Sequence, residues 1–498
     1  MKWAHFSMLA CVAVLTGCAT APVFSPPVLS VGIPEEWTGG DLAVGQVDVE
    51  WWNDFADVGL SAAVEMALSR NFDLQAAAAR LEQAAADARA ANAAIHPTVQ
   101  ATYNGSQRRQ NFVGFPIPGS EDEVLTTTST NHGVSLDVSW EVDLWRRLRN
   151  ASAATLAELE ASAADLRAAQ LSLAGQTTKS WLAIAGAQQQ VDLSNESVES
   201  FRASAEQVRG RFEVGVRPAL DLRLALLNLA NAEALLQQRL QQLDATTRQL
   251  QVLLGVYASG SLETPQALPS VPAVVPAGLP ADLVGRRPDL VSAERAVAAA
   301  GARVDVARAD LLPRLSLTAA SGTSTDGLRS LLDGSFGIWS LLGNVVQPIW
   351  QGGRLRAEVA RTEARSAETL AVYANAALNA YAEVETALAA EDLHRRRVDH
   401  LTEATLQARA AERLAEERYF QGLDTYIPVL ESLRSAVAAE GELIAARRLR
   451  LENRVDLYLA LGGGFEQLEL PIQLQNPDTG PNATTRTPVV EENAQEEE

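Results

Sequence analysis

The sequence predicts a mainly helical fold with a small β part, built from two copies of one plan. The stretch from Arg147 to Gly255 recurs from Arg354 to Gly462, an offset of 207 positions. Each copy holds one helical pattern of roughly 66 residues, about 100 Å at 1.5 Å per residue, followed by a second about half as long. Strand-like alternation is confined to two short regions, one ahead of each long helix. A repeat near 200 residues is too long for a solenoid unit, so it reads as tandem duplication within one body.

The repeat has three anchors: Arg147-Leu148-Arg149 against Arg354-Leu355-Arg356, Arg211-Phe212 with Gly215 against Arg418-Tyr419 with Gly422, and Leu254-Gly255 against Leu461-Gly462. Upstream, Asp73-Leu74 and Pro97 match Asp289-Leu290 and Pro313 at an offset of 216 rather than 207, so the first copy carries nine extra residues before Arg147. The divisions that follow are 1–17, 18–58, 59–255, 256–280, 281–462 and 463–498.

The first division is a secretory signal: Lys2, apolar Met8 to Leu15, then Leu15-Thr16-Gly17-Cys18. About eight apolar residues span only ~12 Å of a ~30 Å bilayer core. Small residues before Cys18 resemble the lipobox of bacterial lipoproteins, in which the cysteine becomes the acylated first residue. By the same resemblance, Ala19 in the next position favours the outer membrane. An ordinary signal with a chance cysteine is the alternative. The other cysteine, Cys11, lies inside the signal, so no disulfide framework is expected. No later stretch has 18 consecutive apolar residues, so a crossing of the membrane would have to use strands.

Residues 18–58, rich in Pro, Gly and Val, read as an extended strap ending in the aromatic knot Trp51-Trp52-Asn53-Asp54-Phe55. A helix follows from Gly59 to Ile95, stopped by Pro97. The period then changes to two. Val99, Ala101 and Tyr103 alternate with polar residues, and beyond a loop containing Gly114 to Gly119, Val134, Leu136, Val138, Trp140 and Val142 alternate with Ser135, Asp137, Ser139, Glu141 and Asp143. One apolar and one polar face over about ten residues suits a strand between lipid and water. A half-buried strand in a soluble sandwich would show the same pattern. Leu315, Leu317 and Ala319 repeat it more weakly in a second hairpin, whose other strand falls within Phe336 to Trp350.

The helix Ala219 to Leu254 carries Leu222, Leu229, Leu236, Leu243 and Leu250 at every seventh position, a coiled-coil seam. The matching line Val429, Ala436, Leu443, Arg450 and Leu457 predicts a looser one. Gly215 and Gly422 stand between paired helices, where a left-handed residue ends a helix. Gly59 to Ile95 plus Ala219 to Leu254 total ~109 Å, and Ala281 to Leu312 plus Tyr426 to Leu461 total ~102 Å, close to the ~100 Å of each long helix. Two short helices stacked end to end would therefore sheath each long one.

With 62 Asp and Glu against 41 Lys and Arg, the chain is formally −21, which argues against a nucleic-acid partner. The arginines lie among glutamates on helical stretches and read as solvated faces. The five histidines form no ligand pattern, and Gly462-Gly463-Gly464 lacks the strand-then-helix setting of a phosphate loop. No catalytic residue, metal or cofactor is predicted beyond acyl chains on Cys18. The stretch after Asn476 is polar and acidic, a solvated tail.

Four amphipathic strands cannot close a membrane barrel, because known barrels begin at eight and an open edge cannot face lipid. Three copies supply twelve. The expected assembly is a homotrimer, its long coiled-coil helices forming an α-barrel and its strands a 12-stranded transmembrane β-barrel.

These features resemble the TolC-like outer-membrane efflux proteins, and within them lipoproteins of the OprM and NodT type. The matching motifs are the lipobox at Cys18; Trp51-Trp52 through Phe55, Asp57 and Leu60; Asn71-Phe72-Asp73-Leu74; Glu141-Val142-Asp143-Leu144-Trp145; Arg286-Arg287-Pro288-Asp289; Pro348-Ile349-Trp350-Gln351-Gly352-Gly353-Arg354; and both glycine tips. The resemblance implies an outer-membrane duct with a periplasmic tunnel, coupled through a periplasmic adaptor to an inner-membrane pump. It implies adaptor contact at Gly215, Val216, Gly422 and Leu423. The periplasmic gate candidates are Asp424, Tyr426 and Glu431. Val58 stands where the family usually has proline, and Pro428 and Glu431 stand where some relatives place aspartate rings, which puts a gate of that design in doubt. An acylated coiled-coil scaffold or adhesin without conduction is the alternative, and Val134 to Asp143 distinguishes the two, since a scaffold has no need of that alternation.

Overall fold

The computed structural model describes residues 37–38, 47–112, 125–262, 283–464 and isolated positions of the linker between 263 and 282. Cys18, the loop at 114–119 and the acidic tail lie outside the described residues. All described residues belong to one compact unit beginning at Ile33. Its elements are α1 (Val58–Arg70), α2 (Phe72–Ala93), β1 (Thr98–Phe112), β2 (Leu125–Val142), α3 (Arg147–Glu213), α4 (Ala219–Leu253), α5 (Leu283–Arg286), α6 (Pro288–Ala309), β3 (Arg314–Thr325), β4 (Gly337–Val346), α7 (Arg354–Phe420) and α8 (Tyr426–Ala460).

The helix expected from Gly59 to Ile95 is broken at Asn71. Its side-chain oxygen accepts from the amides of Asp73 and Leu74, restarting the chain as α2, while its Nδ2 donates to the Leu253 carbonyl at 3.0 Å. The second copy is broken at the equivalent Arg287, before Pro288 at the first turn of α6. There a guanidinium replaces the amide: Arg287 Nη1 donates to the Ala460 carbonyl at 3.2 Å and also pairs with Glu383 and Asp289. One junction is thus built twice from different side chains. At both, a left-handed glycine lets the chains close up: a Cβ on Gly255 would stand 2.6 Å from the Arg70 carbonyl, and one on Gly462 2.6 Å from that of Arg286.

These junctions stack α2 on α4 and α6 on α8 beside the 67-residue helices α3 and α7. Helix α3 packs against both stacks, whereas α7 packs mainly against α6 and α8 and meets α3 near its C-terminal end, through Arg211. The exposed Leu370, Leu378, Leu393, Leu406 and Leu414 of α7 follow from that one-sided contact. Burial of the two leucine lines reverses the expectation. Val429, Ala436, Leu443 and Leu457 are fully buried because α8 touches both long helices, while on α4, which leans mainly on α3, Leu250 is fully buried but Leu222, Leu229, Leu236 and Leu243 are half-buried.

The aromatic knot at Trp51 to Phe55 is locked to the column. Trp51 stacks on Tyr458 at 5.0 Å, the Tyr458 hydroxyl donates to Asp54 at 2.6 Å, and Asp57 caps α1 while accepting from Trp181 Nε1 at 2.9 Å.

The strands form one antiparallel sheet in the order β1-β2-β3-β4. Val99 faces Val138, Val138 faces Ala319 and Ala319 faces Leu341, so the alternation read along single strands becomes one apolar face across all four. The strands exceed the alternating stretch: β1 continues to Phe112 and β2 begins at Leu125, where both faces are polar. In β4 apolar residues fall on both faces, Ile338 and Leu342 opposite Trp339 and Leu341, which is why its alternation is weak in the sequence.

Candidate functional site

Two places carry the functional geometry: the sheet edges and the tips of the two helical hairpins. Strands β1 and β4 each have one unpaired edge, and the exposed Val99, Leu136, Trp140, Leu341 and Val345 lie on the apolar face. Among the described residues no helix is long and apolar enough to cross a membrane. From Val134 to Val142 the apolar stripe runs about 26 Å along the strand, comparable to the ~25 Å apolar band of membrane barrels.

Both tips close with the same backbone. At the first, Gly215 has φ +77, its amide donates to Phe212 and that of Val216 to Arg211; at the second, Gly422 has φ +76, its amide donates to Tyr419 and that of Leu423 to Arg418. These paired bonds satisfy the orphan carbonyls of a helix end and need a left-handed residue. Val216 and Leu423 are exposed, with Val214, Leu220, Phe420 and Ile427 exposed nearby.

The side chains of the tips differ. Asp424 pairs with Arg418 Nε at 2.5 Å, and that hydrogen bond holds its carboxyl below the usual carboxylate range. Tyr426 is buried: its hydroxyl lies 2.9 Å from Ser204 Oγ and its ring 5.6 Å from that of Tyr419, and burial pushes its hydroxyl pKa up. Glu431 is exposed on α8. Of the three gate candidates, the structure thus brings Asp424 and Tyr426 into contacts within the chain.

Three further residues tie the tips together. Arg211 donates to the carbonyls of Tyr419 and Phe420 at 3.0 and 3.2 Å, and Arg217 to that of Asp424 at 3.0 Å. Both guanidiniums lie against the buried Tyr419 ring, 4.6 and 4.8 Å from its centroid. The first tip donates and the second accepts. Sequence reasoning passed over Arg211, Arg217 and Tyr419, although arginines bracketing Gly215 were a visible sign. Among the described residues no cluster of His, Cys, Asp and Glu could hold a metal.

Comparison with known proteins agrees with this architecture. A family model described as "Outer membrane efflux protein" matches residues 63–256 and 279–463. The pyoverdine export outer membrane protein OpmQ of Pseudomonas putida is 31% identical over 474 residues, covering 93% of this chain and 98% of OpmQ. The toluene efflux pump outer membrane protein TtgF of Pseudomonas putida is 29% identical over 485 residues, covering 95% of this chain and 99% of TtgF. The solved structure of the outer-membrane channel OprN superposes with a TM-score of 0.82 at 27% identity, covering 90% of this chain and 99% of that one. A duplicated column of long helices, a four-stranded sheet apolar on one face and matches along nearly the whole length lead to one conclusion: the chain belongs to the outer membrane efflux protein family and is an outer-membrane channel, not an enzyme.

Proposed function

We propose that the chain works as a homotrimeric exit duct, anchored by acyl chains on Cys18, which receives small molecules from an inner-membrane pump through a periplasmic adaptor and passes them outward without reaction. The observation that carries this reading is the sheet. Four antiparallel strands leave β1 and β4 as open edges running in opposite directions, so β4 of one copy can pair antiparallel with β1 of the next, and three copies reach an even number of strands within the range of known barrels. The helices follow the same order, with α7 at one flank and the α2–α4 stack at the other.

The exposed Val216 and Leu423 at the turns of Gly215 and Gly422 suit a periplasmic partner that buries apolar tips. Relatives named for pyoverdine export and toluene efflux differ widely in cargo, which supports a duct that leaves selection to the pump. Asp424, Tyr426 and Glu431 form the periplasmic gate in this reading: Tyr426 as packing support, Asp424 held in its ion pair with Arg418, and the exposed Glu431 repeated in three copies as a negative ring. Purified protein in planar bilayers tests the function: discrete single-channel conductance is expected, and its absence even after the tips are loosened would favour a non-conducting scaffold. Replacing Asp424 and Glu431 together by alanine should lower cation selectivity, and unchanged reversal potentials would remove the carboxylates from the gate.

A further inference from the structure

Along its described strands the polar face of the sheet carries four charged residues, Arg108, Asp137, Glu141 and Arg314. Two of them are matched. Arg147 holds Glu141 through bonds of 2.8 to 3.0 Å, and Asp310 holds Arg314 at 2.6 Å, both at the end of the sheet next to the helices. Asp137 is different. It stands opposite Gln100 on β1 and Ala320 on β3, and Ala320 in turn faces Ser340 on β4, so its level of the sheet is otherwise neutral. Its carboxylate accepts from Ser135 Oγ at 3.0 Å, and among the described residues it has no cationic partner. Glu141, with its arginine, stands four residues away, ~13 Å along β2, and Arg108, level with Ser129, eight residues away in the other direction, ~26 Å. Screening at physiological salt acts over ~8 Å, so neither arginine offsets Asp137. Aspartate is also disfavoured in strands, so local preference does not account for it.

The level of Asp137 matters as much as its face. Leu136 and Val138 flank it on the apolar side, and Val138 is the middle of the Val134 to Val142 stripe. Given the trimeric duct proposed above, the carboxylate stands on the bore side near the middle of the lipid-facing band. A low-dielectric wall behind a charge focuses its field into the water in front. We infer that three Asp137 carboxylates form a cation-selecting ring inside the membrane-spanning bore, separated from the carboxylates at the tips by the ~100 Å of α3. The ring favours solutes that carry an ammonium or other cationic group and holds back anionic ones.

Reversal potentials in a potassium chloride gradient near ~0.1 M test the ring, in purified full-length channels carrying Arg217→Ala so that the tips restrict the current less. Asp137→Asn should lower the potassium-to-chloride permeability ratio about twofold or more, and Asp137→Lys should push it further toward chloride. Asp137→Glu, which keeps the charge, should keep the ratio. The drop in Asp137→Asn should recur in an Asp424→Ala, Glu431→Ala background, since the two sets of carboxylates act at different levels. At ~1 M salt the screening length shrinks to ~3 Å, and parent and variants should converge; a difference that persists there would mean an altered bore shape and overturns the ring. Conduction with an unchanged ratio in Asp137→Asn overturns the ring and leaves the duct standing, whereas no conduction in any variant overturns both.

Discussion

A single ring holds the two tips together. Tyr419 is buried with the guanidiniums of Arg211 and Arg217 against its ring, and both arginines also donate to carbonyls of the second tip. A cation over an aromatic face is worth about 0.5–1 kcal/mol at an accessible site, and a charged donor on a carbonyl about 1.5–3 kcal/mol. Arg217→Ala should therefore loosen the tip by about 2 kcal/mol, seen as amide exchange around 211–217 and 419–424 faster by at least tenfold; unchanged exchange would mean the tips hold without it. The glycines allow a sharper contrast. Gly215 and Gly255 both have positive φ, but a Cβ on Gly215 meets open space, whereas one on Gly255 meets a carbonyl at 2.6 Å. Gly215→Ala should cost about 1–2 kcal/mol for the left-handed backbone alone, and Gly255→Ala clearly more, which thermal unfolding of the two variants would reveal. Glu416 adds a pH dependence. Burial, then its neighbour Glu412, raise its pKa, and the nearby Arg409 is committed to Glu412 and Glu440. A raised carboxyl pKa means the folded chain holds that proton more tightly, so the penalty exists at neutral pH and disappears as pH falls below the unfolded value. Glu416→Gln should stabilise at pH 7 by less than about 1 kcal/mol, and the gain should vanish below about pH 4; a pH-independent difference would point to packing instead.

At the scale of elements, what the sequence made legible was local or repeated. The long helices begin at Arg147 and Arg354 and the turns fall at Gly215 and Gly422, as the offset of 207 predicted, because helix periodicity and left-handed glycines act within a few residues. The end-to-end stacking of short helices followed from length arithmetic alone. What escaped was set by distant partners. Asn71 interrupts an alanine-rich pattern that looks continuous, and its Nδ2 reaches a carbonyl 182 positions away. The Arg211–Tyr419 contact spans 208 positions and leaves no periodic trace. The relative burial of the two leucine lines depended on α8 touching two long helices where α4 mainly touches one, a fact of packing order that heptads do not encode. The upper parts of β1 and β2 were missed because strands polar on both faces resemble loops when read one at a time.

At the scale of the whole molecule, the same order runs through both parts: β1 to β4 in the sheet, and the α2–α4 stack, α3, the α6–α8 stack and α7 in the column. Each part ends in an uncovered flank, and in the proposed trimer one rotation between copies covers both. The lipid-facing direction proposed for the apolar face is testable without the pump. Leu341 lies on that face, opposite Ala319 and in line with Val138, while the adjacent Ser340 points the other way, opposite Ala320. An arginine at the middle of a lipid-facing band costs about 2–4 kcal/mol, and the polar side of such a barrel tolerates charge. In a trimer the cost of Leu341→Arg recurs in every copy, and together the copies approach the ~5–15 kcal/mol net stability of a typical folded domain. Leu341→Arg should therefore sharply reduce the heat-resistant oligomer recovered from outer-membrane fractions, while Ser340→Arg should leave it near the parent level and alter conductance instead. Equal recovery of both variants would mean that this face does not meet lipid.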